Sequence, residues 1–549
     1  MTPVSNPHFF LTCLRGRALP KTMKSIAMTL VPLFTFAAIP GVPSFPSPAA
    51  AQAPLVQDSM ALDSAALGSG IQEAESQPTK IDSSTWRYET GKRMRGMERA
   101  WATAEEARRG AVVKTIQGSV AHFFRGNMAG VARELDAARR LLGADGAPVT
   151  ELERAGHAFA MMPSARLVAA GTERLGVSVA PIYGSWDLLE GASITLRYSD
   201  PGTGAEYSIK HPCGSDGALL SLDLAGHSAS AFEVEGTLEL GAAAVSVGSV
   251  RFEIVTDLDA RLASLKNEVG RRSKLPRTIA AHTANQYFAL LRGMAAGKTP
   301  ETDYAMGDLL ERAEFLAGAP ADPAPATESG SGESTVAEWI GSPGERWLSL
   351  PIGVRVVNVR VFVPGGLDPG ARVPLVVALH GAGGSHNMFF DGYGDGLAVD
   401  LARARGWILI APEVGFFGCP VVEIVDEMSA RLPVDLGRVF LLGHSMGAGA
   451  AIRAANGAAD RFRAISALGG GGKADEAMAS IPAFLGAGAS DFGKRGVDAL
   501  AARMKALGAT DLIHRTYRNT EHLLVVQRAL PDVYAFFDAH LGEGAEGER

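Results

Sequence analysis

The chain is 549 residues long, more than one hydrophobic core usually organises, so two or more domains are expected. Hydrophobic residues make up 47% and charged residues 20%, which excludes a wholly disordered chain, and the glycines and prolines lack the three-residue period of collagen. A formal charge of −7 gives no bulk electrostatic reason to bind nucleic acid or an anionic membrane.

At the start of the chain, Lys21 and Lys24 precede an apolar stretch at residues 26–39 and the small-residue run Ala49-Ala50-Ala51-Gln52-Ala53. A positive region, an apolar region and a small-residue cleavage site, in that order, mark an export signal. The apolar stretch holds 14 residues and Pro32, which is short for crossing a bilayer, so an uncleaved anchor is the weaker reading. Residues 1–51 are therefore expected to be removed on export, and Met23 is an alternative start. They carry Arg15, Arg17, Lys21 and Lys24 and no acid, so losing these four cations takes −7 to −11. Cys13 leaves with them. Cys213 and Cys419 remain, too few for a disulfide framework; buried free thiols are expected, with one bridge as the alternative. No later segment offers 18 uninterrupted apolar residues, so a soluble periplasmic or extracellular protein without stable membrane insertion is expected.

Residues 52–84 read as a polar linker. A helical region is expected over 85–175, with a charged helix at 86–109 and a helical hairpin formed by 111–124 and 128–142. One such hairpin cannot bury its own face, and no second copy follows at a fixed period. From 176 to 256 the pattern alternates at period two between turn signals, which predicts a small antiparallel β domain of sandwich type. Helices return over 257–317, and the Pro/Gly/Ser-rich residues 318–340 read as a second linker. His211, His227 and His282 are isolated in this half and are expected to be structural.

The second half, 341–541, alternates near-continuous apolar runs with helices, the mark of strands buried on both faces. Runs at 347–351 and 354–363 are expected to add antiparallel edge strands. Parallel strands follow at 373–379, 407–412, 438–442, 463–468, 482–486 and 511–517, and residues 542–549 form a tail. The strand at 438–442 runs into Gly443-His444-Ser445-Met446-Gly447 and then the small-residue helix start Ala448-Gly449-Ala450-Ala451. A G-x-S-x-G match is weak alone, but strand, match and small-residue helix together describe a tight turn that presents a serine hydroxyl. Gly443 and Gly447 remove side chains that would collide there.

With His380-Gly381-Ala382-Gly383-Gly384 after an earlier strand, this segment resembles the α/β-hydrolase superfamily. The likeness is greatest to secreted esterases of the polyhydroxyalkanoate depolymerase and feruloyl or acetyl xylan esterase groups. It covers about residues 345–541. Those esterases often have a further glycine where this chain has Ala448, and often carry disulfides. The expected architecture is multidomain, with a C-terminal α/β-hydrolase fold (a mostly parallel sheet flanked by helices) behind a helical region and the small β domain.

Within that resemblance Ser445 is the nucleophile. Among later histidines, His522 occupies the loop between the last strand and last helix, whereas His514 lies inside a strand and His540 at the end of a helix. His522 is therefore the expected base and general acid. Asp491 follows a strand end and is the expected partner of the imidazole, with Asp498 and Asp475 as rivals. Oxyanion donors are expected at the N–H groups of Met446 and Ala382, with Gly381 the alternative and His380 positioning the loop. The implied activity is a serine hydrolase acting on small-molecule or polymer-attached carboxylic esters, with no cofactor and no metal. A peptidase of prolyl-oligopeptidase type and a non-catalytic scaffold are the rival readings. Short loops at 413–420 and 469–480 predict an open cleft, for which Phe389, Phe390, Tyr393, Phe416 and Phe417 are candidate lining residues.

Overall fold

The computed structural model describes residues 81–143, 150–184, 186, 189–272, 277–319, 335–368, 370–415 and 418–542. The expected export signal, most of both linkers, Phe416, Phe417 and nearly all of the tail lie outside these residues.

Three helices open the described chain: α1 (Ser83–Thr103), α2 (Glu106–Phe124) and α3 (Met128–Leu142). Asp82 caps α1 by accepting the Thr85 N–H at 2.7 Å, and Asn127 caps α3 by accepting the Gly130 N–H at 2.9 Å. Apolar residues at helical spacing, among them Met97, Trp101, Val112, Ile116, Val131 and Leu135, face one another in a shared core. The helix expected over 86–109 breaks at Ala104 and Glu105. Arg109, rather than extending α1, donates to the carbonyls of Trp101 (3.0 Å) and Ala102 (2.9 Å), satisfying groups that a helix end leaves open. A short helix, α4 (Glu151–Ala158), follows.

Strands begin at Phe159 rather than at residue 176. They are β1 (Phe159–Pro163), β2 (Leu167–Ala169), β3 (Arg174–Pro181), β4 (Ala192–Ser199), β5 (Glu206–Cys213), β6 (Ala218–Asp223), β7 (Ala231–Leu240) and β8 (Ala243–Val255). They form a three-stranded sheet, β1-β3-β6, and a five-stranded sheet, β2-β8-β7-β4-β5. Pairing is antiparallel except between β2 and β8. Val177 and Leu222 of one sheet share a core with Leu196, Val234 and Phe252 of the other, the layered arrangement expected from the alternation. Cys213 is buried here and unpaired; Cys419 in the C-terminal part is half-buried and also unpaired.

Helices α5 (Leu258–Arg272), α6 (Ile279–Ala295) and α7 (Met306–Gly318) lead to a short helix, α8 (Val336–Gly341), and the large sheet. Its strands are β9 (Gly344–Ile352), β10 (Arg355–Val363), β11 (Val373–Leu379), β12 (Ile408–Pro412), β13 (Val434–His444), β14 (Ala464–Leu468), β15 (Ala483–Gly488) and β16 (Leu512–Tyr517). The connecting helices are α9 (Met388–Asp391), α10 (Leu397–Arg403), α11 (Val421–Ser429), α12 (Met446–Gly457), α13 (Glu476–Ala479) and α14 (Lys494–Ala506), with α15 (Leu524–Asp538) last. The strand order is β16-β15-β14-β13-β11-β12-β10-β9. β11 to β16 run parallel to one another, while β9 and β10 are antiparallel at the β12 side.

Burial follows the period of two. Leu375, Val377 and Leu379 of β11, with Val439 and Leu441 of β13, face α11, α12 and α14. Val376, Ala378, Phe440 and Leu442 face α10 and α15 on the other side. This is the expected multidomain architecture, with an α/β-hydrolase fold in its C-terminal part. Register fixes where a site can form: Leu379 pairs with Gly443 and His444 with Leu468, so three strand ends meet at one rim. Among the described residues no helix is long and apolar enough to cross a membrane.

Candidate active site

At that rim β13 ends, and Ser445 turns the chain into α12 with φ 55° and ψ −114°. This is a backbone conformation that a residue with a side chain holds at a cost of about 1–3 kcal/mol. The surroundings leave the turn little room to relax. A Cβ on Gly443 would stand 2.4 Å from the Gly447 carbonyl oxygen, and one on Gly447 would stand 2.0 Å from that of Leu379. The Ser445 N–H is tied to the Leu468 carbonyl at 2.9 Å.

Residues 519–523, between β16 and α15, reach the same rim. Ser445 Oγ donates to His522 Nε2 at 2.9 Å, and His522 Nδ1–H donates to Asp491 Oδ1 at 2.7 Å. The tautomer follows from Asp491, whose carboxylate can only accept. Both His522 and Asp491 are buried. Asp491 Oδ1 also accepts the Gly493 N–H at 2.6 Å, while Oδ2 lies against Gly469, where an added Cβ would approach to 2.9 Å. Glu521, fully buried beside His522, accepts the N–H groups of Leu523 and Leu524 and so holds the start of α15; burial pushes its carboxyl up to about 7.

The rival residues are engaged elsewhere. Asp498 does not open a helix but lies inside α14, bonded to Lys494 at 2.7 Å and beside His514 at 3.0 Å. Asp475 caps α13, and His540 binds Asp511 at 2.7 Å.

The loop after β11 lies against the turn, since a Cβ on Gly381 would stand 3.2 Å from Ser445 Cβ. The Gly381 N–H donates to the Tyr393 hydroxyl at 3.3 Å, whereas among the described residues the N–H groups of Ala382 and Met446 have no acceptor. Buried His380 clips this loop: Nε2 accepts the Val414 N–H (2.9 Å), and Nδ1–H donates to the Gly381 carbonyl (2.8 Å). Burial lowers the His380 pKa and favours the neutral ring.

Sequence reasoning missed a second clip. The Tyr393 hydroxyl donates to His444 Nδ1 at 2.7 Å, and His444 Nε2–H donates to the His522 carbonyl at 2.9 Å. Complete burial, with repulsion from His522 as a smaller cause, holds His444 well below the ordinary histidine range. A single chain of bonds thus joins the loop at 381 to the main chain of His522. Tyr393 has φ 48°, which only the folded loop reveals.

The expected open cleft is corrected by the structure. Helices α1, α2 and α3 roof the rim in part. The cavity beneath them, partly open to solvent, measures about 200 Å³ and is lined by Ser445, His522 and Ala382 below and by residues of all three helices above. Of the three proposed lining aromatics among the described residues, Tyr393 reaches it and Phe389 and Phe390 do not. Phe389 and Phe390 are instead packed in the core, Phe390 with its ring 4.7 Å from the Arg360 guanidinium. Phe123 of α2 takes their place, its ring tip where a Cβ of Gly383 would be, only 2.0 Å away. The roof is fastened by Gln117 Nε2 to the Ser490 carbonyl (2.6 Å), Asn519 Nδ2 to Glu106 (2.8 Å) and the Gly394 N–H to Glu98 (3.1 Å). The available signal was the Phe123-Phe124 pair and Met128 flanking a polar turn, apolar groups in excess of what the hairpin buries.

No family model matches the chain, and no curated protein matches it. Among solved structures, an S-formylglutathione hydrolase from Agrobacterium tumefaciens is similar at 16% identity, over 36% of this chain and 95% of that one, with TM-score 0.29. A feruloyl esterase module from Clostridium thermocellum is similar at 15% identity, over 40% and 94%, with TM-score 0.31. A thermophilic carboxylesterase cloned from a metagenomic library is similar at 15% identity, over 38% and 93%, with TM-score 0.30.

Proposed function

We propose that the protein is a serine hydrolase that cleaves carboxylic esters through an acyl-enzyme. The observation that carries this is the hydrogen-bonded series Ser445–His522–Asp491 at a turn that holds Ser445 at positive φ. Ser445 Oγ attacks the ester carbonyl carbon as its proton passes to His522 Nε2, and Asp491 stabilises the imidazolium. The negative charge moves onto the carbonyl oxygen, where the N–H groups of Ala382 and Met446 receive it; one such donor is worth roughly a hundred- to a thousandfold in kcat. Collapse breaks the bond to the alcohol, whose oxygen takes the proton from Nε2. A water molecule then attacks the acyl carbon, gives a proton to Nε2, and the carboxylic acid leaves as the proton returns to Oγ.

The roof supports an ester with one compact apolar side, because the part of the cavity under the helices measures about 200 Å³ and is walled mainly by apolar side chains. The signal read in residues 1–51 supports an exported enzyme. A panel of p-nitrophenyl esters and peptide anilides, run on the wild type and Ser445→Ala, tests the reading. Ester turnover lost in the variant is expected; turnover that survives it, or anilide cleavage in place of ester cleavage, contradicts the proposal.

A further inference from the structure

We infer that the cavity between α1, α2 and α3 is the acyl pocket, and that it selects apolar acyl groups of about six to eight carbons, straight or phenyl-bearing. The inference rests on the ester-hydrolase reading and deepens it.

The sequence builds this pocket from three faces at helical spacing. Gly91, Met94 and Arg95 stand on one side of α1, Ser119, Val120 and Phe123 on α2, and Met128, Val131 and Leu135 on α3. α3 packs against both other helices, and the cavity reaches into the core of the bundle, since Val120, Val131 and Leu135 are themselves buried core residues. Phe123 marks the junction with the reacting centre: its ring rests on Gly383, next to the proposed oxyanion donor Ala382. A group bound to Ser445 therefore passes Phe123 and enters a space walled by Met94, Val120, Met128, Val131 and Leu135. Methionine walls adapt to straight or branched groups alike.

Most charged groups on the lining are at its edge or already matched. Arg87 is exposed, Glu301 accepts the Ser385 hydroxyl at 2.7 Å, and Asp391 is paired with Arg360 at 2.7 Å. Half-buried Arg95 folds back over Gly91, its guanidinium 3.4 Å from where a Cβ would stand. Size bears on the chain length: a closed apolar cavity of about 150 Å³ takes benzene, so the roofed, partly open space of about 200 Å³ is filled by a group slightly larger.

The experiment is a chain-length series of p-nitrophenyl esters from acetate to laurate, on the full chain and on Val120→Phe and Met94→Ala. The expected result is a rise in kcat/KM of about tenfold or more from acetate to hexanoate, followed by a fall towards laurate. V120F moves the optimum to shorter chains and M94A to longer ones; if V120F does not fold, M94A and the wild-type profile decide. A flat profile unmoved by either variant overturns the inference. So does a preference for the suberate ester with a free terminal carboxylate over the octanoate ester. If no ester is turned over, the hydrolase reading fails separately, and the pocket is judged by calorimetry on Ser445→Ala. Octanoate binding, absent for acetate and weakened tenfold or more by adding V120F, upholds it, and no octanoate binding refutes it.

Discussion

The Tyr393 hydroxyl shows how much one atom can hold. It accepts the Gly381 N–H, donates to His444, and through His444 reaches the His522 main chain. Tyr393→Phe leaves a buried N–H and a buried ring nitrogen without partners, a cost of about 1–3 kcal/mol. Steady-state kinetics are expected to show kcat falling about ten- to a hundredfold with KM little changed, because the shape of the cavity stays. Gly383 is the second such point. Its φ of 78° and the Phe123 ring at the site of any Cβ make Gly383→Ala doubly unfavourable. A loss of about tenfold or more in kcat/KM is expected, part of it restored by adding Phe123→Ala, which removes the clash and leaves the backbone strain. Ser445, His522 and Asp491 were legible in the sequence because strand ends and glycine turns announce them locally. Asp498 stayed a rival on paper because nothing in residues 491–498 shows that α14 already begins at Lys494. Tyr393 was placed near the cleft, but its bonding depends on a left-handed backbone that no local pattern displays.

Elements were legible where their period was clean. The parallel strands β11 to β15 are near-continuous apolar runs and sit close to where the sequence places them. β1 was hidden by the same property, since Phe159–Pro163 is buried on both faces and so shows no alternation to separate it from a helix. The break between α1 and α2 was hidden because Arg109 reads as a helix former, while it in fact stacks 4.4 Å over Trp101 and caps α1. Within α1 the fully buried Glu98 carries a prediction of its own. Burial pushes its carboxyl up to about 7 from an ordinary value of 4.5. An acid with a raised folded pKa supports the fold below its unfolded pKa and loses that support as pH rises through the folded one. The contribution lost between about pH 4.5 and 7 is roughly 3 kcal/mol for this group, and Glu521 acts in the same sense. Urea melts at pH 5 and pH 8 are expected to differ less for Glu98→Gln than for the wild type; an unchanged difference would show that Glu98 is ionised throughout.

For the whole molecule, the Pro/Gly/Ser-rich stretch reads as a linker between domains, and the parts on either side of it share one core. Tyr287 of α6 donates to the Trp347 carbonyl of β9 at 2.7 Å, and Leu291 and Leu310 share one core with Leu348, Leu350 and Val359. At the opposite face of the site, Leu524 of α15 sits in the core of α1 to α3. An amphipathic helix records that it has an apolar face but not which surface covers it, so this union was not legible from the sequence. A fragment trimmed to residues 335–542 exposes both faces; it is expected to bind an apolar dye and to melt well below the full chain, and a fragment of equal stability would refute the shared core. The central claim is that Ser445 becomes covalently acylated, and labelling with an alkyl fluorophosphonate followed by peptide mass mapping tests it most directly. One phosphonyl group on the peptide containing Ser445, and none in Ser445→Ala or after acid unfolding before labelling, is the expected result. An unlabelled native chain, or a label on any other residue, would contradict it.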